Sequence, residues 1–257
     1  MQFAMDKPAP ELPFITPDWP APPNVMGLMT TRRGGVSEGP FSSLNLGLSS
    51  GDDPAHVAQN RLIVRGHLPA MPAWLSQIHG TDVVAAHEIN DARHTDAAWT
   101  DRPGVVCAVM VADCLPVLLC DRAGSVVGCA HAGWRGLAAG VVERTVEAMQ
   151  RPGRELIAWL GPAIGPDAFE VGQDVYDAFV TRDKAASIAF RRRGEDRGVD
   201  KYLADIYALA RLRLKQAGVT AAYGGGFCTA SDAERFFSYR RDKERVTGRM
   251  AAMIWLE

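Results

Sequence analysis

The sequence has little net charge and no long apolar stretch. It contains 28 Lys and Arg residues against 30 Asp and Glu residues, so it lacks the basic field that attracts nucleic acid. The longest uncharged apolar run, residues 103–112, stops at Asp113, well short of the roughly 18 residues that a membrane-spanning helix needs. Residues 1–14 lack the cationic start and apolar centre of a secretory signal. We therefore expect a soluble, cytoplasmic protein that binds small molecules and neither nucleic acid nor membranes.

Cysteine and histidine are also scarce, which excludes two kinds of site. Five cysteines, an odd number, argue against a disulfide framework. Cys107, Cys120 and Cys129 lie in apolar runs, where we expect unreactive core thiols. Six histidines without a His-x-His pair are too few for a multi-centre copper oxidase. Short metal-binding motifs such as C-x-x-C and H-E-x-x-H are absent as well, so any metal site must combine residues that are far apart in the sequence.

Residues 105–136 contain three apolar runs that are separated by Asp and Gly residues. This pattern predicts three buried strands of a sheet that is covered on both faces. Cys114 follows the first run and His131 ends the third, while His79 ends another apolar segment, residues 74–78. Because a sheet fixes the backbone and leaves the strand ends accessible, reactive side chains often lie at such ends. We therefore expect His79, Cys114 and His131 to form a site.

The rest of the sequence alternates strand-like and helix-like segments, which predicts an α/β fold. A single domain is predicted for residues 25–257, after a Pro-rich, extended arm at residues 1–24. Strands are predicted at 25–30, 74–78, 156–160 and 250–256, helices at 52–66, 137–150 and 202–216, and exposed loops at 91–103 and 191–197.

The three candidate residues allow two chemistries and one structural alternative. As metal ligands they leave a fourth position open, which is typical of catalytic zinc and of the water that zinc activates. Copper is the rival ion, because thiolate and imidazole also suit it. Without a metal, Cys114 is a nucleophile, His131 is its base and Asp113 or Asn45 orients the imidazole, as in acyl-transfer, amidase or deamidase enzymes. The second imidazole, at His79, favours the metal, and a structural role for all three residues remains open.

Two loops have the composition of an anion site. Residues 30–37 combine hydroxyl groups, paired glycines and two arginines, one of them Arg32, and glycine-rich backbone can present N–H groups to an anion. Arg135 lies in a Gly-rich turn before the predicted helix at 137–150, and the N-terminus of a helix attracts negative charge. Both loops are equally consistent with plain surface turns.

Eight motifs occur in the same order as in a known family. They are Thr30-Thr-Arg-x-Gly-Gly-Val-Ser, Ser43-Leu-Asn-Leu-Gly, Gly51-Asp-Asp, Gln77-Ile-His-Gly, Ala112-Asp-Cys-Leu-Pro-Val, His131-Ala-Gly-Trp-Arg-Gly, Leu160-Gly-Pro-Ala-Ile-Gly-Pro and Phe236-Phe-Ser-Tyr-Arg-Arg-Asp. From about residue 25 onwards the sequence resembles the YfiH-type laccase-domain family, which is also called the multicopper polyphenol oxidase or peptidoglycan editing factor family.

The resemblance implies a fold, a metal and an activity. The fold is a single α/β domain with a two-layer β core flanked by helices, and the metal, usually zinc, is held by His79, Cys114 and His131. The activities are phosphorolysis of adenosine, inosine and methylthioadenosine, with deamination of adenosine as a further reaction. The alternatives are a Cys–His hydrolase or amidase that edits peptidoglycan precursors and a copper polyphenol oxidase.

Phosphorolysis and deamination need further residues around the cluster. We expect a phosphate to be bound by guanidinium groups, which match its geometry, the ribose or base to be hydrogen-bonded by amides, and a carboxylate to move protons during deamination. The residues predicted for these roles are Arg32, Arg135 and Arg240 for phosphate, Gln77 and Asn45 for the nucleoside, and Asp113 for proton transfer. The role of Cys228 and the oligomeric state stay open.

Overall fold

The computed structural model describes residues 14–89, 94–196, 198–242 and 246–257. The strands are β1 Val25–Met29, β2 Val83–Ala85, β3 Ala97–Thr100, β4 Cys107–Val111, β5 Leu115–Asp121, β6 Val127–Ala132, β7 Leu156–Leu160, β8 Glu170–Gly172, β9 Phe190–Asp196, β10 Val199–Ala204, β11 Ala221–Gly224 and β12 Met250–Leu256. The α-helices are α1 Pro54–Arg65, α2 Trp134–Ala139, α3 Val141–Ala148, α4 Gln173–Val180 and α5 Ile206–Gln216.

Three sheets organise these strands. The largest is mixed and has the order β11-β7-β5-β6-β3-β2. The second is antiparallel with the order β1-β12-β4, and a small third sheet has the order β8-β10-β9. In the centre of the largest sheet β5 and β6 are antiparallel, and Pro116 pairs with His131. The start of β5 and the end of β6 therefore lie at the same edge of the sheet.

The two larger sheets pack face to face, and helices cover their outer faces. Leu118 and Trp159 of the largest sheet belong to one buried cluster with Val109 and Ile254 of the second sheet. The other face of the largest sheet packs against α2, α3, α4 and α5, and the other face of the second sheet packs against α1. The predicted α/β domain with a two-layer β core flanked by helices is confirmed.

Residues 105–136 form the centre of both sheets. Every residue of β5 and β6 is buried, because one face of their sheet meets the second sheet and the other meets helices. The first of the three predicted strands, β4, belongs to the second sheet, so the stretch joins the two layers. Cys107, Cys120 and Cys129 are fully buried. Burial raises the pKa of Cys120 to about 12 and the pKa of Cys107 well above its ordinary value, as befits unreactive core thiols.

Helix boundaries follow local signals in the sequence. Helix α1 begins at Pro54, and Asp53 caps it by accepting a hydrogen bond from the backbone N–H of Ala55 (2.8 Å). The single helix predicted over 137–150 is two helices, α2 and α3. They are separated by Gly140, whose left-handed backbone (φ 111°) suits glycine and ends α2.

Four further predicted segments differ from the structure. Residues 91–103 and 191–197, predicted as loops, contain β3 and β9; residues 91–93 and 197 lie outside the described residues. Periodicity misses these strands because β3 is short and β9 is charged and exposed, with its pairing to β10 holding it in place. Residues 74–78 form no strand, and of these residues only Ser76 makes an isolated bridge, with His94. The helix predicted over 202–216 begins later because β10 precedes it.

The predicted N-terminal arm is described only in part, since residues 1–13 lie outside the described residues. Ile15 exchanges two backbone hydrogen bonds of 2.8 Å with Met29, which places it beside β1. The domain boundary at residue 25 stays a prediction. Among the helices of the described residues, none combines the length and the apolar character that crossing a lipid bilayer requires.

Candidate metal centre

Three side chains from separate segments meet at the edge where β5 starts and β6 ends. Cys114 is the residue before β5 and His131 is the second-to-last residue of β6, so the two strands fix both backbones. His79 belongs to the loop before β2 and has a left-handed backbone (φ 62°). One possible ligand atom from each residue lies within 4.8 Å of the other two. The structure thus brings together the three residues that the sequence pattern singled out.

The spacing of these donor atoms suits a tetrahedral metal ion. Cys114 Sγ and His79 Nε2 are 3.6 Å apart. The rings of His79 and His131 are 4.7 Å apart between centroids and inclined at 73°. Zn–S bonds of about 2.3 Å and Zn–N bonds of about 2.0–2.1 Å at a tetrahedral angle give an S–N separation of about 3.6 Å. Two imidazoles and one thiolate in this arrangement therefore fit a bound metal ion.

Gly133 leaves room for this cluster. A β-carbon at residue 133 would lie 2.7 Å from His79 Cδ2 and 3.1 Å from Cys114 Sγ. The first distance is well below van der Waals contact, so any side chain would displace the His79 ring. The turn that follows β6 therefore requires glycine for a packing reason.

Asp96 is fully buried and positions two of the three candidate ligands. Its Oδ1 accepts hydrogen bonds from His131 Nδ1 (2.7 Å) and from the backbone N–H of His79 (2.9 Å). Its Oδ2 accepts from the backbone N–H groups of Ile78 (3.1 Å) and Gly80 (2.7 Å). A carboxylate that accepts from one ring nitrogen leaves the other nitrogen, here Nε2, for a metal. One side chain thus orients the His131 ring and fixes the loop that carries His79.

Asp96 was not predicted as a site residue, because the sequence pattern indicates an exposed loop over residues 91–103. The available signal is position: Asp96 directly precedes the short apolar run at residues 97–99, as Cys114 directly precedes β5. β3 pairs with β6 in an antiparallel register in which Ala97 faces Ala130. The start of β3 therefore lies beside the end of β6, next to His131.

Burial and charge oppose each other in this cluster. Burial raises the pKa of Cys114, but the charge of His131 and hydrogen bonds from both imidazoles lower it to about 6. Burial lowers the pKa of His131, but the charge of Cys114 and the hydrogen bond to Asp96 raise it to about 9. For Asp96, burial raises the pKa, and hydrogen bonds from His131 and from backbone N–H groups bring it below its ordinary value. Thiolate, imidazolium and carboxylate therefore stabilise one another.

The cluster lies in the wall of a cavity of about 610 Å³, a size typical of small-molecule sites. Trp74 and Met110 contribute aromatic and apolar surface to it. Within the described part of the chain, no Asp or Glu lines the cavity, whereas three arginines do: Arg61, Arg135 and Arg249. The cavity therefore combines the possible metal ligands with an excess of positive charge.

Gln77 and Arg135, two of the predicted substrate-binding residues, line this cavity. Arg135 is exposed, and its guanidinium lies over the ring of Trp134, 4.3 Å from the centroid. Both ends of the Gln77 amide bind the backbone of Met110: Nε2 donates to the carbonyl (2.7 Å) and Oε1 accepts from the N–H (2.7 Å). Gln77 therefore fastens the loop of His79 to β4, and its amide is engaged there.

Asn45, Arg32 and Arg240, the other three predicted substrate-binding residues, do not line the cavity. Asn45 is fully buried, and its amide holds the surrounding loop, so it does not orient an imidazole. Arg32 and Arg240 donate to backbone carbonyl groups and lie over the rings of Phe237 and Phe169. These guanidinium groups hold loops together outside the cavity, and a phosphate-binding role for either arginine stays a prediction.

Asp113 also has a structural role. Its Oδ1 accepts a hydrogen bond from Thr229 Oγ1 (2.6 Å), and its Oδ2 accepts from the backbone N–H of Arg240 (2.6 Å). Both oxygens are therefore engaged with the C-terminal segment, and Asp96 is the carboxylate that meets His131. The prediction that Asp113 orients the imidazole was wrong, and its engaged oxygens argue against a role in proton transfer.

Arg61 and Arg249, which were not predicted as site residues, line the cavity wall, whereas Arg32 and Arg240 do not. Arg249 directly precedes β12, so it occupies the same kind of strand-end position as Cys114 and Asp96. Arg61 lies within α1, where one arginine on a helix gives no signal that separates it from a solvated surface residue.

Fold and cluster together define a four-layer α/β protein with a His–Cys–His site at the edge of its main sheet. Residues 26–257 match the family described as multi-copper polyphenol oxidoreductase laccase. The chain belongs to this family, and the resemblance inferred from its motifs is confirmed.

Its relatives are similar over almost the whole chain. Purine nucleoside phosphorylase PA4543 of Pseudomonas aeruginosa is 54% identical over 244 residues, 95% of this chain and 98% of that protein. Purine nucleoside phosphorylase YfiH of Escherichia coli is 54% identical over 246 residues, with 95% and 98% covered. The crystal structure of protein NMB0706 of Neisseria meningitidis superposes with a TM-score of 0.90 at 56% identity, and the match covers 95% of this chain and 99% of that chain.

Proposed function

We propose that this protein is a zinc-dependent purine nucleoside phosphorylase that acts on adenosine, inosine and methylthioadenosine. The observation that carries the proposal is a single cavity that combines three N/S donor atoms at the spacing of tetrahedral zinc with three arginines and, among the residues described, no carboxylate. The names of two relatives, each 54% identical to this chain, support the same activity.

The reaction joins phosphate to the ribose and releases the base. An oxygen of hydrogen phosphate attacks C1′ of the ribose, the bond between C1′ and N9 breaks, and its electron pair goes to the purine. The proton of hydrogen phosphate ends on the released base, so the products are a free purine and ribose 1-phosphate, or 5-methylthioribose 1-phosphate from methylthioadenosine. The site must therefore hold a phosphate beside the ribose and stabilise negative charge on the leaving base.

The residues of the cavity suit these requirements. His79, Cys114 and His131 would hold the zinc ion, which would supply a Lewis acid beside the substrate. Asp96 keeps the proton of His131 on Nδ1 and fixes the ring. The arginines in the wall attract phosphate, and Trp74 offers a face against which a purine can pack.

Adenosine deamination is a further activity proposed for the same site. Adenosine and water give inosine and ammonia, so the reaction needs water and no phosphate. The feature in its favour is the set of three N/S ligands, which is typical of hydrolytic zinc enzymes. The His-x-Glu and Pro-Cys-x-x-Cys motifs of zinc nucleobase deaminases are absent from the sequence, so this site would differ from theirs.

The test is incubation of the purified protein with adenosine, with and without phosphate, followed by chromatographic separation of the products. Adenine that forms only with phosphate supports phosphorolysis, and inosine in both samples reports deamination. His79→Ala should abolish turnover, whereas His67→Ala, which changes a histidine outside the cluster, should not. Zinc-containing protein that forms neither adenine nor ribose 1-phosphate would overturn the proposal.

A cysteine hydrolase acting on amide bonds of peptidoglycan precursors is the second candidate. The observation that favours it is the sequence of contacts from Cys114 to His131 to Asp96, which matches the nucleophile, base and orienting carboxylate of such enzymes. Metal analysis separates the two candidates, because a metal-free wild-type protein with full turnover leaves only the thiol chemistry. The same analysis decides between zinc and copper.

A further inference from the structure

Two arginines of the cavity wall are held by the same short turn at residues 46–47. Arg61 donates from Nε (3.0 Å) and Nη2 (2.9 Å) to the carbonyl of Leu46, and its guanidinium lies 4.2 Å from the centre of the Trp74 ring. The backbone carbonyl of Arg249 accepts from the N–H of Leu46 (3.0 Å). The side chain of Arg249 packs on Gly47, where a β-carbon would lie 2.7 Å from its Cγ. The turn therefore brings both side chains to one part of the cavity.

Neither guanidinium has a carboxylate partner among the described residues. No ion pair within 4.0 Å involves Arg61 or Arg249 in that part of the chain, although the negative charges of Asp113 and Cys114 are near enough to act on Arg249. The oxygens of Asp113 are already engaged elsewhere, as described above. The Arg61 side chain is partly buried, and this burial lowers its pKa to about 10. Partly buried charge without a counter-ion is unfavourable, and an incoming anion would relieve that cost.

Donor groups remain for such an anion. Arg61 uses Nε and Nη2 on Leu46, which leaves Nη1 without a partner in the described residues. Arg249 uses Nη1 on the carbonyl groups of Thr247 and Gly248, and its Nε and Nη2 have no hydrogen-bond partner there. Guanidinium N–H groups in a fixed plane suit the tetrahedral oxygens of phosphate.

We propose that Arg61 and Arg249 form a subsite for a phosphate dianion, at the 46–47 turn, that binds its ligand without the metal. The subsite deepens the phosphorolysis proposed above and rests on it for the identity of the anion as free phosphate. A phosphate monoester on the substrate shares the same chemistry, so the experiment includes both.

The experiment titrates inorganic phosphate into the full-length protein by calorimetry, before and after the metal is removed with a chelator. We expect phosphate to bind in both states. Arg61→Gln and Arg249→Gln should each weaken binding about tenfold or more, as expected for loss of a charge-assisted hydrogen bond. Arg61→Lys, which keeps the charge and loses the planar fork, should weaken binding less. Arg144→Gln is the matched control, because it removes one positive charge from an exposed position on α3.

Two further titrations identify the source of the phosphate. If inorganic phosphate still binds when the protein is saturated with adenosine, the subsite serves free phosphate beside the nucleoside. The alternative result is that adenosine blocks the binding of inorganic phosphate, while adenosine 5′-monophosphate binds and its binding is weakened by Arg61→Gln and Arg249→Gln. In that case the subsite serves a phosphate monoester, and the assignment to free phosphate is overturned.

The subsite and the proposed activity can fail separately. The subsite would be overturned if phosphate bound only to metal-loaded protein. It would also be overturned if Arg144→Gln weakened phosphate binding as much as Arg61→Gln and Arg249→Gln do. Either result would leave phosphorolysis possible. Phosphate binding that depends on Arg61 and Arg249, in a protein that releases no adenine from adenosine, would keep the subsite and reject the activity. Circular dichroism tests whether each variant is folded. If a glutamine variant fails to fold, Arg61→Lys takes its place in the phosphate titration.

Discussion

Two buried aspartates flank the candidate metal ligands, and they support different parts of the molecule. Asp96 accepts from His131 and from three successive backbone N–H groups, including that of His79. Asp113, although adjacent to Cys114 in the sequence, accepts from Thr229 and from a backbone N–H in the C-terminal segment. The residue next to a ligand in the sequence is therefore not the one that supports the ligands. Strand pairing determines which aspartate contacts the ligands, because the pairing of β3 with β6 places Asp96 beside the end of β6.

Asp113 positions Cys114 indirectly. Its left-handed backbone (φ 86°) turns the chain between β4 and β5, and its carbonyl accepts a hydrogen bond from the N–H of Ile164 (3.0 Å). Asp is one of the few residues that tolerate this backbone conformation. Its side chain then ties the turn to Thr229, so the C-terminal segment holds the turn that carries the thiol. Asp96 should therefore govern metal affinity, and Asp113 should govern stability.

The largest expected effect is on metal affinity. Asp96→Asn removes the charge behind His131 and weakens the bonds to the His79 loop, so zinc affinity should fall by about 10–100-fold, the range found when such partners are lost. Asp113→Asn keeps a side chain that tolerates the left-handed backbone and should bind zinc like the wild type. Competition with a chromogenic chelator measures both affinities. Equal losses in the two variants would contradict the division of roles.

The second effect is on stability. Thr229 is fully buried, and Thr229→Val leaves Asp113 Oδ1 without its hydroxyl donor. The free energy of unfolding should fall by about 1–3 kcal/mol, the usual cost of a buried polar group that has lost its partner. Urea unfolding of chelated protein measures this, with the exposed Thr181→Val as the control. A variant with wild-type stability but weakened zinc binding would reverse the roles assigned to Asp96 and Asp113.

The sequence predicted the fold well wherever burial on both faces leaves a clear apolar run. Strands β5, β6, β7 and β12 are of this kind, and each was predicted within a few residues. Strand β9 could not be found in this way, because its pairing partner and cross-strand ion pairs such as Arg192 with Asp200 hold it in place. Strand β3 was missed because four residues are too few to show a period.

The site residues that end long apolar runs could be predicted from the sequence. The residues that position those site residues could not. Cys114 and His131 follow such runs, so their convergence could be inferred from the sheet. The role of Asp96 depends on the register between β3 and β6, and the place of Arg61 depends on the contact between α1 and the 46–47 turn. Both are contacts between distant segments, which a single sequence does not specify.

The smallest expected effect is a shift in the pH at which Cys114 reacts. Iodoacetamide modifies the thiolate, so in chelated protein the rate should rise through a midpoint near pH 6, the pKa that His131 imposes on Cys114. Asp96→Asn removes negative charge that stabilises the His131 imidazolium. The imidazolium then stabilises the thiolate less, and the midpoint should move to higher pH, whereas Asp113→Asn should leave it near 6. Mass spectrometry locates the adduct, and buried Cys120 should stay unmodified in every folded variant. An unchanged midpoint in Asp96→Asn would show that this carboxylate positions His131 without sustaining its charge.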